Sequence, residues 1–212
     1  MKTCLVGCGG IAAVHGSVLT SGIDTEFVAA ADIKPEKAQT YAENFHTKPY
    51  PSLEIMLDAE KPDVLHICTP HYLHVPMTIY ALERNINVFM EKPPAISFDQ
   101  LEELKKAAAK SEAQLGFCYQ NRYNASIRVE DPHVTVYPKD AAPYQLFVET
   151  LPPIGKSYWG TGHTACISDF YQSLHDNRRF SLNLETMEPS IRLMLGTYES
   201  ARSGHSVTLI EQ

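Results

Sequence analysis

Four short stretches carry residue types that do chemistry when a fold brings them together. The first is Gly7-Cys8-Gly9-Gly10-Ile11-Ala12. Its Gly-x-Gly-x-x-Ala spacing suits a tight turn at Gly7, close approach of backbone to a pyrophosphate at Gly9, and close helix–strand packing at Ala12. The helix that starts there would offer free N–H groups and the positive end of its dipole to the phosphates. Asp32 lies twenty residues beyond Ala12, where a carboxylate would accept hydrogen bonds from an adenosine ribose. A carboxylate there repels a 2′-phosphate, so NAD is favoured over NADP.

The second stretch is Thr69-Pro70-His71-Tyr72-Leu73-His74, with two histidines beside a strand end. The third is Glu91-Lys92-Pro93-Pro94, again just after an apolar run. A paired Glu and Lys at the end of a buried strand are costly unless they serve a ligand or pair with each other. Lys92 could donate to a hydroxyl or carbonyl oxygen and stabilise charge as hydride moves. The fourth, Tyr119-Gln120-Asn121-Arg122, follows the last strand of the series.

The elements that position these residues follow from periodicity. Strands are expected at 3–6, 26–31, 64–68, 87–90 and 114–118, with helices at 11–20, 35–44, 52–58, 75–84 and 98–111. Ser97 and Gln100 form a capping box at the start of the last of these helices. Short strands alternating with helices predict an α/β fold, a doubly wound parallel sheet over residues 1–118. The active stretches then all fall at the carboxyl edge of that sheet, where such folds bind ligands.

Residues 119–212 read as a second, shortened α+β domain. Strands are expected at 133–137 and 145–149, a loop at 151–162, and two amphipathic helices. The first helix carries Ile167, Phe170, Tyr171 and Leu174 on one face, the second Ile191, Met194, Leu195 and Tyr198. Gly204 supplies a stop, and a last strand is expected over 206–210.

Composition narrows the setting. The 212 residues carry a formal charge of −7, which argues against general affinity for nucleic acid. No apolar run reaches the ~20 residues that span a bilayer, and no secretory leader is apparent, so a cytoplasmic protein is expected. Cys4, Cys68, Cys118 and Cys166 sit in apolar stretches and read as small core residues. No second Cys/His pair completes a zinc spacing with Cys4 and Cys8, so no metal site is expected.

Together, Val-Gly-Cys-Gly-Gly-Ile-Ala-Ala-Val-His, Cys-Thr-Pro-His-Tyr-Leu-His, Met-Glu-Lys-Pro-Pro-Ala and Gly-Phe-Cys-Tyr-Gln-Asn-Arg-Tyr-Asn resemble the Gfo/Idh/MocA family of NAD(P)-dependent oxidoreductases, over residues 1–127. The stretches 160–170 and 198–204 resemble the end of that family's second domain. The resemblance implies a Rossmann-type first domain and hydride transfer between nicotinamide and a sugar, inositol or related polyol. It makes Gly7, Gly9, Gly10, Ile11 and Ala12 the pyrophosphate cradle and Asp32 the ribose partner. Thr69, Pro70 and His74 would border the nicotinamide, with His71 standing where the family usually has Asn. Glu91 would help to position the cofactor, Lys92 would be the catalytic lysine, and Gln120 and Arg122 would lie near cofactor and substrate.

The family's second domain also carries an Asp-x-x-x-His motif whose His acts as acid/base. No Asp in this chain is followed four residues later by His. His163 belongs to the late helix and is not given that role. The chain reads as having an internal deletion near residues 127–129. Two functions therefore stay open: an oxidoreductase, or a nucleotide-binding protein without turnover. A methyltransferase reading of the glycine loop is disfavoured by Glu91-Lys92-Pro93. The narrow sheet that remains would have exposed edges open to pairing with a second copy of the chain.

Overall fold

A computed structural model describes residues 1–123, 126–130, 133–137, 144–146 and 162–209, with backbone pairing alone for the strands between 126 and 146. Six strands form one parallel sheet: β1 (Lys2–Val6), β2 (Glu26–Ala31), β3 (Lys48–Tyr50), β4 (Val64–Ile67), β5 (Asn87–Glu91) and β6 (Leu115–Cys118). Their order is β3-β2-β1-β4-β5-β6, so the direction of winding reverses between β1 and β4. That reversal opens a crevice at the carboxyl ends of these two neighbours.

The helices between them are α1 (Gly10–Leu19), α2 (Pro35–Phe45), α3 (Leu53–Glu60), α4 (His74–Leu82) and α5 (Phe98–Ala108). β1, β4, β5 and β6 are buried almost throughout, which is why they read as continuous apolar runs rather than alternating ones. The Ser97 hydroxyl accepts the Gln100 N–H at 3.2 Å, as the capping box requires, but Gln100 Oε1 takes the N–H of Ile96, one residue before the cap. β3 was not expected, because Pro49 breaks its pattern. It survives as an edge strand, where a missing N–H costs little.

After β6 the chain forms β7 (Ser126–Glu130), β8 (His133–Tyr137) and β9 (Tyr144–Leu146), an antiparallel sheet in that order. The strand expected at 145–149 thus begins one residue earlier, and 147–149 lie outside the described residues, as does most of the expected loop at 151–162. Helices α6 (Gly162–His175) and α7 (Leu184–Ser203) follow. α6 packs on α1 and β6, and α7 on α5 and β6. Gly204 ends α7 in the left-handed conformation at φ +73°, as expected for a helix stop. Residues 206–209 are not in a strand, contrary to the sequence expectation. Their single apolar alternation, Val207 and Leu209, has no described strand to pair with. No helix among the described residues is long and apolar enough to cross a membrane.

Candidate functional site

The turn after β1 is built around Gly7. Its N–H donates to the Ala31 carbonyl at 2.8 Å, and its φ is +93°. Gly9 is extended and caps α1 without any side-chain hydrogen bond, and the first turn of α1 holds no acidic residue. The N–H groups and dipole of that turn therefore face outward uncompensated. A Cβ built on Gly9 or Gly10 would meet nothing within 4 Å. Asp32, half-buried at the end of β2, braces the loop: Oδ2 accepts the Cys8 N–H at 2.9 Å and Oδ1 the Lys34 N–H at 2.9 Å.

Gly7, Gly9, Gly10, Ile11, Asp32, Thr69 and Pro70 line one cavity of about 340 Å³. The Thr69 hydroxyl is buried there without a hydrogen-bond partner in the protein. An open approach to backbone at Gly9, a carboxylate in the cavity lining and an orphaned hydroxyl fit a dinucleotide. Ala12 does not line the cavity. It is fully buried, and its carbonyl accepts the Tyr41 hydroxyl at 2.7 Å, which fixes α1 against α2.

A second cavity, about 530 Å³, holds Lys92, His71, Pro93 and Tyr119, with Met194 and Tyr198 contributed by α7. Lys92 is exposed, and its peptide bond to Pro93 is cis. His74 joins the two cavities from behind. It is fully buried, with Nδ1 2.8 Å from the Pro93 carbonyl and Nε2 2.9 Å from the Thr69 carbonyl. Burial pushes its proton affinity down against the pull of those two carbonyls. Both ring nitrogens are thus engaged by the protein, and His74 ties the Thr69 loop to the Lys92 loop. Gln120 and Arg122 sit on a single 3₁₀ turn after β6, half-buried and exposed respectively. Neither is among the described residues that line the two cavities.

Sequence reasoning raised pairing with Lys92 as one answer to the cost of burying Glu91. The structure gives Glu91 another partner. Its Oε1 lies 3.0 Å from Nε2 of His15, which is fully buried on α1, while its Oε2 accepts the backbone N–H of Lys92 at 3.3 Å. Burial alone would raise the Glu91 carboxyl, but the His15 hydrogen bond and charge hold it below the ordinary value. His15 Nδ1 lies 2.8 Å from His66 Nδ1, and His66 Nε2 lies 3.0 Å from the Tyr171 hydroxyl. Tyr171 then meets Thr3 at 2.7 Å, and Thr3 meets Thr25 at 2.7 Å. Desolvation first, and then the charge of His15, hold His66 well below the ordinary imidazole value.

His163, on the first turn of α6, is also buried, and lies within the electrostatic reach of Glu91, His15 and Lys92. Burial lowers its proton affinity. Sequence reasoning missed His15 and His66 as members of this edge and left His163 with the late helix. The one available signal for the first two was their polarity within apolar stretches.

Residues 1–119 match the model of an oxidoreductase family with an NAD-binding Rossmann fold, GFO_IDH_MocA. The D-glucoside 3-dehydrogenase of Escherichia coli is 33% identical over 125 residues, 58% of this chain and 36% of that protein. The glucose-6-phosphate 3-dehydrogenase of Bacillus subtilis is 26% identical over 60% of this chain and 36% of its own length. Among solved structures, the WlbA dehydrogenase of Chromobacterium violaceum, in complex with NADH and UDP-GlcNAcA, aligns with a TM-score of 0.57 at 33% identity, over 58% of this chain and 36% of that one. An oxidoreductase from Agrobacterium radiobacter aligns over 99% of this chain and 98% of its own with a TM-score of 0.79, at 11% identity, a likeness of fold alone. The chain spans little more than a third of the length of the curated relatives named here. With its glycine turn, strand-end carboxylate and Glu-Lys-Pro turn on one sheet edge, the chain belongs to the Gfo/Idh/MocA oxidoreductase family.

Proposed function

We propose that the chain binds NAD in the 340 Å³ cavity and transfers hydride between its nicotinamide and a hydroxyl-bearing carbon of a sugar or related polyol. The observation that carries this reading is the placement of the glycine cradle, Asp32 and Thr69 around one cavity, with Lys92 in a neighbouring one, the two braced by His74. When bound, the nicotinamide supplies the hydride acceptor or donor. In this reading the first turn of α1 holds the pyrophosphate, Asp32 accepts from the ribose hydroxyls, and the Thr69 hydroxyl gains its missing partner. Glu91 anchors the start of the Lys92 turn through His15.

Lys92 places a cationic donor beside the substrate oxygen, where negative charge develops as hydride leaves or arrives. Proton transfer at that oxygen falls to His71, which lines the same cavity as Lys92. His71 thereby covers the step that the absent Asp-x-x-x-His motif would serve. Residues 1–118 form the cofactor-binding domain, and residues 119–212 a shortened substrate-side domain in which α7 supplies Met194 and Tyr198 to the pocket wall.

The second reading, binding without turnover, is favoured by the absence of that motif from the sequence. An NADH fluorescence titration on the 212-residue chain, repeated with NADPH, tests the first step. A screen against sugars and polyols, with Lys92→Ala as control, tests the second. Saturable NADH binding and Lys92-dependent turnover support the proposal. Binding without turnover favours the second reading, and no binding overturns both.

A further inference from the structure

Donor groups of the kinds that hold soft and borderline metal ions converge beneath the Glu91–Lys92 turn from four separate elements. His15 comes from α1, Glu91 from the end of β5, Cys118 from the end of β6 and Cys166 from α6. One ligand atom from each of His15, Glu91 and Cys118 lies within 4.8 Å of the other two. Cys166 stands next to Cys118 but outside that group of three, its thiol donating to the Phe117 carbonyl at 3.9 Å. His15, Cys118 and Cys166 are fully buried and Glu91 is 5% exposed.

We propose that His15, Glu91, Cys118 and Cys166 form a buried site for a thiophilic divalent cation such as Zn²⁺. The donor set, one imidazole, one carboxylate and two sulfurs, is of the tetrahedral zinc type, with bonds of about 2.0 to 2.3 Å. Donor atoms around such an ion stand roughly 3.3 to 3.8 Å apart, so His15, Glu91 and Cys118 close with side-chain movements of about an ångström, and Cys166 completes the set by turning away from the Phe117 carbonyl. The surrounding contacts already have the arrangement a ligating histidine needs. His15 Nδ1 is taken by His66 at 2.8 Å, which leaves Nε2 toward the other donors. The second Glu91 oxygen is held by the Lys92 N–H, and His66 is itself fixed by Tyr171.

On binding, the metal replaces the proton between His15 and Glu91, and both thiols lose their protons to solvent. No electron moves. The ion would cross-link the helix that begins at the glycine turn, the neighbouring strands β5 and β6, and α6, joining the late helix to the nucleotide-binding sheet. None of this is visible as a sequence motif, because the four residues are spread from position 15 to position 166. It goes beyond the expectation that the cysteines serve only as core residues; it shares the His15–Glu91 pair with the proposed function, but its readout is separate from NADH binding and turnover.

The test uses the full chain, stripped with chelator and titrated with Co²⁺. The expected result is a thiolate-to-cobalt charge-transfer band with tetrahedral ligand-field bands, saturating at one equivalent and bleached by Zn²⁺. Cys118→Ser and Cys166→Ser remove or shift the band, Cys4→Ala leaves it, and His66→Gln weakens binding by about 10- to 100-fold. A folded chain that gives no charge-transfer band, or one that survives in the double Cys118→Ser, Cys166→Ser variant, overturns the proposal. Because those variants alter a buried cluster, a measurement on the unmodified chain stands beside them. Pulsed alkylation read by peptide mass spectrometry should show Cys118 and Cys166, but not Cys68, protected by Zn²⁺. Equal labelling with and without Zn²⁺ counts against the site.

Discussion

Gly7 and the Cys68 carbonyl stand so close that no side chain fits between them. A Cβ on Gly7 would lie 2.7 Å from both the carbonyl carbon and the oxygen of Cys68, and 2.8 Å from the Thr69 nitrogen, all of them backbone. The glycine turn and the Thr69 loop are therefore one packed unit. Gly7→Ala adds a strained backbone conformation to this clash and should cost about 2 kcal/mol or more. Gly9→Ala meets open space and should cost about 1 kcal/mol at most, through the weaker helix cap. Thermal unfolding should separate the two, while NADH titration should show Gly9→Ala losing roughly tenfold or more in affinity.

Asp32 should set the preference for NADH over NADPH. Asp32→Asn keeps an oxygen for one of the loop N–H groups but removes the charge that repels a 2′-phosphate. The ratio of NADPH to NADH dissociation constants should fall by about tenfold, which corresponds to ~1.4 kcal/mol. An unchanged ratio would mean that the carboxylate does not face the ribose.

Lys92→Ala should leave NADH affinity within a few-fold, because the lysine lines the second cavity rather than the first. Turnover of any substrate found in the screen should drop by about 10² to 10³, the usual cost of losing a donor to developing charge. A loss confined to KM would assign Lys92 to binding rather than to chemistry.

His71→Asn restores the residue type more usual in the resembling family while removing the imidazole. Rates should fall by about 10² to 10⁴, the usual cost of losing a proton-transfer group. An unchanged kcat would return the proton step to another group.

Acid stability should reveal Glu60. The carboxylate is 5% exposed and accepts from Tyr50 at 2.6 Å and Lys48 at 2.9 Å, with Lys2 at 3.0 Å. The Tyr50 hydrogen bond first, then those of the two lysines, hold its proton affinity down to about 2, against 4.5 unperturbed. A depressed folded value gives stability that is present above about 4.5 and lost as pH falls toward 2. Its size should be on the order of 2 kcal/mol or less, since the lysines are partly solvated. Melting temperature should fall across that window, and Glu60→Gln should be both less stable at pH 6 and flatter below it.

The first half of the fold was legible because its signals are local. The strand expected at 26–31 matches Glu26–Ala31 at both ends, and the helices differ from expectation by a few residues at their ends. β3 escaped notice because three residues with a central proline carry no periodicity. The candidate site was legible where it depends on backbone, at Gly7 and Gly9, and where charge stands at a strand end, at Asp32 and Lys92. It was not legible at His15 and His66. Those residues meet each other and Tyr171 through packing between α1, β4 and α6, and no spacing in the sequence records that packing. His74 was recognisable as a residue of the ligand edge, but its attachment to two carbonyls required coordinates.

Both margins of the six-strand sheet are already closed. At β6 the Phe117 N–H donates to the Leu182 carbonyl at 2.9 Å, and Gly116 bridges to Asn183. The loop before α7 thus occupies the hydrogen-bonding groups that another strand would need. At the opposite margin Pro49 lacks the N–H that a newcomer would seek. A second chain would find the β6 edge occupied at these two residues and the β3 edge interrupted at Pro49, so this sheet is a poor template for lengthening by strand addition.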